Sequence, residues 1–533
     1  MQRITYASLA NLGDEFHTTF DAAIGHVREE LGETHPMYIN GKPKKAKDGT
    51  FDDTSPADTR IVLGKFQKGD RADAQKAIAA ARAAFPGWRD IGWQERVGLL
   101  RKAADILMQR QYQIAALMSM EVGKNRFESI AEVSEAVDLV QYYCSQVEAH
   151  DGYVLPMAGA GNERTQSVLK PYGVWAVVAP FNFPIALSIG MATGALVAGN
   201  TVVFKPASDT PFTGLRIYEM FRDGGLPDGV FNYVTGPGST VGEELVENED
   251  VDGFVFTGSK EVGINILRRF AQDYPKPCIA EMGGKNPAIV MPSANLDDAS
   301  EGVLRSAFGM GGQKCSACSR LYVHRDVRKR FMQMLIEKTA ARKVGDPLLR
   351  DTFLGPLINK SAVKTYKRAL RRGKAEGRVA YGGSVLEDGR YAHGYYVEPA
   401  IVDKLPKDSQ LFQEEFFVPV LSVAEVASLD EAIALSNESQ YGLTAGIFSQ
   451  DLAELRKFFD TIEAGVTYSN RRGGATTGAW PGVQSFGGWK GSGSSGKSGL
   501  GPHYVAQFMH EQSQTMIVDG APSKTEQLSR AVE

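Results

Sequence analysis

Cys315 sits in Gly311-Gly312-Gln313-Lys314-Cys315-Ser316-Ala317-Cys318-Ser319-Arg320, and Glu281 opens Glu281-Met282-Gly283-Gly284-Lys285-Asn286-Pro287. A glycine pair lets backbone approach a bound ligand closely, and its amides can face developing negative charge. A thiol beside such a pair, with a carboxylate brought in from elsewhere, suggests a nucleophile and a base that activates water. The same residues have blander uses. A lone cysteine is more often a small buried hydrophobe. Cys315 and Cys318 also spell C-x-x-C, as in a redox pair or half a zinc site. No second C-x-x-C and no spaced His-x-His set completes such a site, so no metal is expected.

Elements that could position these residues follow from hydrophobic patterning. Residues 14–33 read as an amphipathic helix, followed by an extended Met37-Tyr38-Ile39-Asn40 and a turn at Gly41-Lys42-Pro43. Asp73 is the expected N-cap of an alanine-rich helix ending near Pro86. Further helices are predicted around 94–112 and from 127 to 148. Tyr153–Pro156 and Thr165–Leu169, around a loop of Gly and Asn at 158–162, read as a projecting hairpin. Continuous apolar runs such as Val174–Ala179 and Thr201–Lys205 alternate with helices at 185–199 and 212–223, then strands at 230–234 and 253–256. That pattern indicates a parallel, doubly wound sheet. A second α/β region runs from about 288 to 470. Gly491-Ser492-Gly493-Ser494-Ser495-Gly496 reads as a flexible loop.

Composition narrows the class. A chain of 533 residues suits two or three domains, and 43% hydrophobic with 23% charged residues is that of a soluble globular protein. A formal charge of -4 offers no reason to expect nucleic acid or an acidic membrane as partner. Four cysteines (Cys144, Cys278, Cys315 and Cys318) argue against a disulfide framework and for a reducing compartment. The start of the chain carries Asp14, Glu15 and Asp21, unlike a secretory signal. No run approaches the roughly 20 apolar residues of a membrane helix, so a cytoplasmic location without membrane insertion is expected.

Glu-Met-Gly-Gly-Lys followed by Gly-Gln-Lys-Cys, in that order and separation, resembles the aldehyde dehydrogenase superfamily, and the resemblance runs from about residue 37 to 515. It implies an α/β fold with a Rossmann-type NAD(P)-binding domain (1–150 and 171–283) and an α/β catalytic domain (284–485). A β-hairpin oligomerisation flap (151–170) and a tail (486–533) complete it, implying a homo-oligomer built on dimers. The resemblance implies Cys315 as nucleophile and Glu281 as the general base against the thioester. Asn182, in Ala179-Pro180-Phe181-Asn182-Phe183-Pro184, would give its amide to the oxyanion, beside the backbone N–H of Cys315. Read alone, Asn182 would rather cap the helix beginning near Pro184.

For the cofactor, Phe256-Thr257-Gly258-Ser259-Lys260-Glu261-Val262-Gly263 is a strand-turn-helix whose N-terminus can receive a pyrophosphate. Gly258, Ser259 and Val262 are its candidates, with Gly238 in the weaker Gly236-Pro237-Gly238 run and Met282 and Gly283 beside the base. Lys205 matches the lysine on the adenine ribose, and Glu415 and Phe417 match the pair on the nicotinamide ribose. The usual glycine after that phenylalanine is Val418. Ser208 stands where strict NAD users often carry glutamate, so NAD is expected and NADP is possible.

At the substrate end, Gly312–Arg320, Thr477-Gly478-Ala479 with Phe486-Gly487-Gly488, and Gly501-Pro502-His503-Tyr504 resemble the 1-pyrroline-5-carboxylate dehydrogenase branch. That branch oxidises glutamate γ-semialdehyde to glutamate in proline breakdown. The resemblance implies that Ser316 and the amides of Gly478 and Ala479 anchor the α-carboxylate. Phe183 and Phe486 would wall the aliphatic middle, and Asp138 would lie near the substrate. Trp480-Pro481, Ser485 and Trp489-Lys490 depart from the branch pattern in the anchor loop. A general or dicarboxylate-semialdehyde dehydrogenase stays open, as does a catalytically silent structural member.

Overall fold

Val174–Val178 and the Val202–Phe204 centre of Thr201–Lys205 are apolar on both faces of the pleat, so they must be covered on both sides. They form the middle of the first of two seven-stranded sheets in a computed structural model that describes residues 13–160 and 162–518. The first twelve residues, Gly161 of the hairpin loop and residues 519–533 of the expected tail lie outside the described residues. The first sheet runs Cys278–Glu281, Gly253–Thr257, Val174–Val178, Thr201–Lys205, Phe231–Tyr233, Met37–Ile39, Lys42–Lys44. The strands from Cys278–Glu281 to Phe231–Tyr233 are parallel, and the last two close the edge antiparallel. The second sheet places Asn286–Val290 and Cys318–His324 side by side and parallel near its centre. A separate antiparallel sheet joins the hairpin Val154–Met157 and Glu163–Pro171 to Met509–Ile517. The α/β class and the hairpin are as expected.

Several helices differ from expectation. The helix Arg71–Asp90 is capped by Asp70, whose side chain accepts from the N–H of Asp73. Asp73 sits inside the first turn and completes a capping box. Pro86 does not end this helix: buried Trp88 donates to the Leu196 carbonyl at 3.1 Å and holds a further turn in place. The helix expected over 14–33 stops at Glu29. The one expected over 94–112 is two, Trp93–Gln109 and Gln111–Val122, meeting at Arg110. Gln111–Val122 is buried on nearly every side, so it shows no amphipathic stripe.

Two helices that lead toward the site begin without a side-chain cap of their own, Ala186–Val197 and Pro211–Asp223. Buried glutamates from distant helices fill the gap. Glu132 accepts from the N–H groups of Ile185 and Ala186 at 2.9 and 3.1 Å, and its other oxygen pairs with buried Lys124. Glu121 does the same for Phe212 and Thr213 at 2.7 and 3.0 Å. A carboxylate at a helix N-terminus satisfies orphan amides and complements the dipole.

Breaking a buried pair leaves an uncompensated charge, which costs about 3–5 kcal/mol. Glu132→Ala is therefore expected to lower the chemical-unfolding midpoint sharply. The double variant Lys124→Met with Glu132→Leu should lose less than Glu132→Ala alone, and equal or greater loss would contradict a charge-pair origin.

Candidate active site

Cys315 lies on the loop between the helix Leu296–Phe308 and the strand Cys318–His324. The chain reverses there through three left-handed residues, Met310, Gly311 and Gly312 (φ 54, 65 and 66°). A Cβ on Gly312 would come within 2.7 Å of the Val418 carbonyl, so the turn requires glycine twice over. Each carbonyl from residue 313 to 317 then accepts a hydrogen bond. Asn182 Nδ2 donates to Gln313 O at 3.0 Å, and the N–H of Ala317 donates to Lys314 O at 3.1 Å. Asn286 Nδ2 donates to Cys315 O and Ala317 O at 2.7 and 2.9 Å, and Thr476 Oγ1 donates to Ser316 O at 2.7 Å. Asn182 is buried behind the loop and does not cap the helix that follows it.

Glu281 ends the strand Cys278–Glu281, and its Oε2 accepts from the Gly488 N–H at 3.3 Å. The run expected to be flexible lies along that strand instead. Ser492 O receives the Met282 N–H at 2.8 Å, and Ser494 exchanges bonds with Ala280 and Cys278. Ser492 is fully buried, because the edge of the sheet needs partners for its amides.

A cavity of about 490 Å³ opens between these elements. Its wall includes Cys315, Ser316, Glu281, Met282, Phe183, Phe486, Gly478 and Ala479, all singled out from the sequence. Asp138 is held elsewhere: its carboxylate accepts from the Trp480 indole N–H at 2.7 Å. The acids that the Arg126–Ala149 helix puts on the wall are Glu128 and Glu135, the latter with Leu139 and Tyr143 on successive turns. The helical spacing of 135, 139 and 143 could have pointed to them. Lys124 lies 3.7 Å over the ring of Phe183.

Burial dominates the electrostatics. It pushes the Cys315 thiol up to about 12, helped by the charges of Glu415 and Glu281 and opposed by Ser316. It pushes Glu281 up to about 8 against the Gly488 N–H, and Glu415 up to about 7 against the Gly284 N–H and Lys285. Lys285 falls to about 7 and Lys205 to about 8 for the same reason.

The remaining candidates cluster where ligands of open α/β sheets bind, beyond the carboxyl ends of the strands. Register puts Lys205 opposite Val178 and Val178 opposite Phe256, with Thr257 and its partner Glu281 one residue further toward the carboxyl ends. Lys205 Nζ is buried and bonds Pro206 O at 3.2 Å, which leaves an ammonium capacity for further acceptors. Ser259 caps the helix Lys260–Arg269 through the Val262 N–H, and Ser208 is exposed. A Cβ on Gly238 would meet nothing within 4 Å, while one on Gly283 would strike the Glu415 carboxyl at 1.8 Å. The positive φ of the Glu415 loop falls on Phe417 (56°), so Val418 is not asked to be glycine. A buried lysine, a capped helix N-terminus and a close glycine suit a phosphate-bearing dinucleotide.

The sequence pattern of the aldehyde dehydrogenase family matches residues 44–514. The chain is 37% identical over 504 residues to 1-pyrroline-5-carboxylate dehydrogenase 1 of Halalkalibacterium halodurans, covering 93% of this chain and 95% of that one. It is 36% identical over 503 residues to the 1-pyrroline-5-carboxylate dehydrogenase of a Geobacillus species, with the same coverage. The crystal structure of 1-pyrroline-5-carboxylate dehydrogenase from Thermus with bound NAD superposes with a TM-score of 0.91 at 34% identity, covering 95% of this chain and 98% of that one.

Proposed function

The chain belongs to the aldehyde dehydrogenase family, and from that premise we propose that it oxidises glutamate γ-semialdehyde, the open form of 1-pyrroline-5-carboxylate, to glutamate. The observation that carries this is the cavity itself. Its lining holds a thiol and a carboxyl, Cys315 and Glu281, together with Ser316, Gly478, Ala479 and the rings of Phe183 and Phe486. Such a cavity suits an aldehyde carrying a carboxylate several bonds from its reacting carbon. NAD is the expected acceptor, as in the Thermus relative, and Ser208 raises no charge against NADP.

In this mechanism the Cys315 sulfur attacks the aldehyde carbon as its thiol proton passes to ionised Glu281 and on to solvent. The oxyanion that forms meets the Cys315 N–H and the second amide proton of Asn182, whose orientation the bond to Gln313 O sets. Lys205, Gly258, Ser259, Met282, Gly283, Glu415 and Phe417, with Gly238 and Val262 flanking, would hold NAD, which would supply the hydride acceptor. Glu281 then takes a proton from water as that water attacks the thioester, which frees the carboxylic acid and returns the Cys315 thiol. Residues 1–150 and 171–283 would serve the cofactor and 284–485 the chemistry, in a cytoplasmic enzyme. No helix among the described residues is long and apolar enough to cross a membrane.

With purified protein and NAD, pyrroline carboxylate is expected to give the highest kcat/KM among itself, succinate semialdehyde and propanal. Cys315→Ala should abolish turnover with all three. A higher value for another aldehyde would overturn the substrate assignment and leave the chemistry standing.

Because Glu281 must be ionised to act and its pKa is raised to about 8, kcat should climb through that pH and level above it. Glu281→Gln should flatten the limb and lower kcat by about 10²–10⁴. A limb centred near the ordinary carboxylate range would contradict the buried-base assignment.

The hairpin strand Val154–Met157 is an edge that exposes Leu155 and Met157 at 61 and 52%. Edges of that kind are stable in water when another chain covers them. We propose a homo-oligomer built on dimers through this sheet, and a monomer mass by light scattering would refute it.

A further inference from the structure

The anchor loop is held at both ends. At its start Gly478, left-handed at φ 93°, has its carbonyl bonded by Arg471 Nη2. At its far end Trp480 is buried at 7% exposure, and its carbonyl receives the N–H groups of Val483 and Gln484 at 3.0 and 3.1 Å. Its indole N–H reaches the Asp138 carboxylate at 2.7 Å, a charge-assisted bond from the loop to the Arg126–Ala149 helix. Between these two ties lie Gly478 and Ala479 on the cavity wall. Glu135, one turn before Asp138 on that helix, lines the same cavity. The helix and the loop therefore both build the cavity wall, and the bond between them ties the loop to the helix.

We infer that Asp138 and Trp480 form a positioning pair. They set the height of the Gly478 and Ala479 amides above the cavity and thereby the specificity for aldehydes with a remote carboxylate, without touching the substrate. This rests on the substrate reading above. A carboxylate anchored by backbone amides is sensitive to shifts of a few tenths of an ångström, because hydrogen bonds weaken steeply off their geometry. A small neutral aldehyde makes no use of the amides and should not sense the loop. The pairing also gives a reason for tryptophan at this departure from the branch pattern, since an aliphatic side chain could not donate to Asp138.

Trp480→Phe keeps a ring and removes the donor; Asp138→Leu removes the acceptor; Asp138→Asn keeps an acceptor oxygen. With pyrroline carboxylate, the first two should raise KM about tenfold, the loss of one charged hydrogen bond. Their kcat should stay within about twofold of the parent, and Asp138→Asn should restore most of the KM. Parameters for propanal should move far less. Equal rises in KM for both aldehydes, or none for either, would overturn the inference.

Hydrogen–deuterium exchange of residues 478–484 in the intact protein supplies a readout free of the substrate assignment. Trp480→Phe should speed exchange there and leave the rest of the chain unchanged. Should the parent fail to prefer pyrroline carboxylate, the substrate reading falls, and the exchange result still decides the pair. Unaltered exchange in both Trp480→Phe and Asp138→Leu would sink it.

Discussion

The carboxamide of Asn286 is the tie on which the rest of the site depends. Its two protons go to the carbonyls of Cys315 and Ala317, and its oxygen accepts the Thr444 N–H at 3.0 Å. Three segments far apart in sequence therefore share one buried side chain. Asn286 itself is the first residue of a strand paired with Cys318–His324 on one side and Thr444–Phe448 on the other. The thiol thus inherits the rigidity of the central sheet, although it sits on a loop. Aspartate in that place would lose both donors, and a leucine would leave two carbonyls and an amide buried without partners, each costing about 1–3 kcal/mol.

A related logic operates at the other wall. Phe183 follows Asn182 on the turn into the helix Ala186–Val197, and the turn has no capping residue of its own. Glu132 supplies the missing acceptor from another helix, and its partner Lys124 also lies on the face of the Phe183 ring. One buried ion pair thereby orients a helix, an aromatic wall and the loop that carries Asn182. Ion pairs of this kind add little net stability against a hydrophobic alternative, so geometry is the better account of its presence.

The chemistry-bearing motifs were legible in sequence because each pairs a reactive residue with backbone punctuation: glycines at Gly283, Gly311 and Gly312, a serine cap at Ser259, and strands without a polar position. The parallel sheet was legible for the same reason, since Val174–Val178 admits no solvent face. What escaped was whatever depends on distant partners. Gln111–Val122 shows no stripe because every side is covered. Asp70 took the cap expected of Asp73 because Asp73 serves better as the reciprocal acceptor in the first turn. Gly491–Gly496 has the composition of a flexible linker and is ordered by an unpaired sheet edge that the sequence does not display. Asp138 and Glu135 are both acids on one helix: the spacing with Leu139 and Tyr143 carries Glu135 to the cavity, while Asp138 is taken by the Trp480 indole, a partner that the sequence does not display.

Burial raises the thiol and both nearby carboxyls together, so the resting site holds little net charge at neutral pH. The arrangement has a physical consequence for the order of events. A thiolate formed early would face the fields of Glu281 and Glu415 with few donors to hold it. A neutral thiol that sheds its proton only as the bond to carbon forms passes the charge at once to an oxygen that preset amides can meet. Glu281 is raised by the same burial, against the Gly488 N–H, so the group that must be ionised to activate water is largely ionised only above about pH 8.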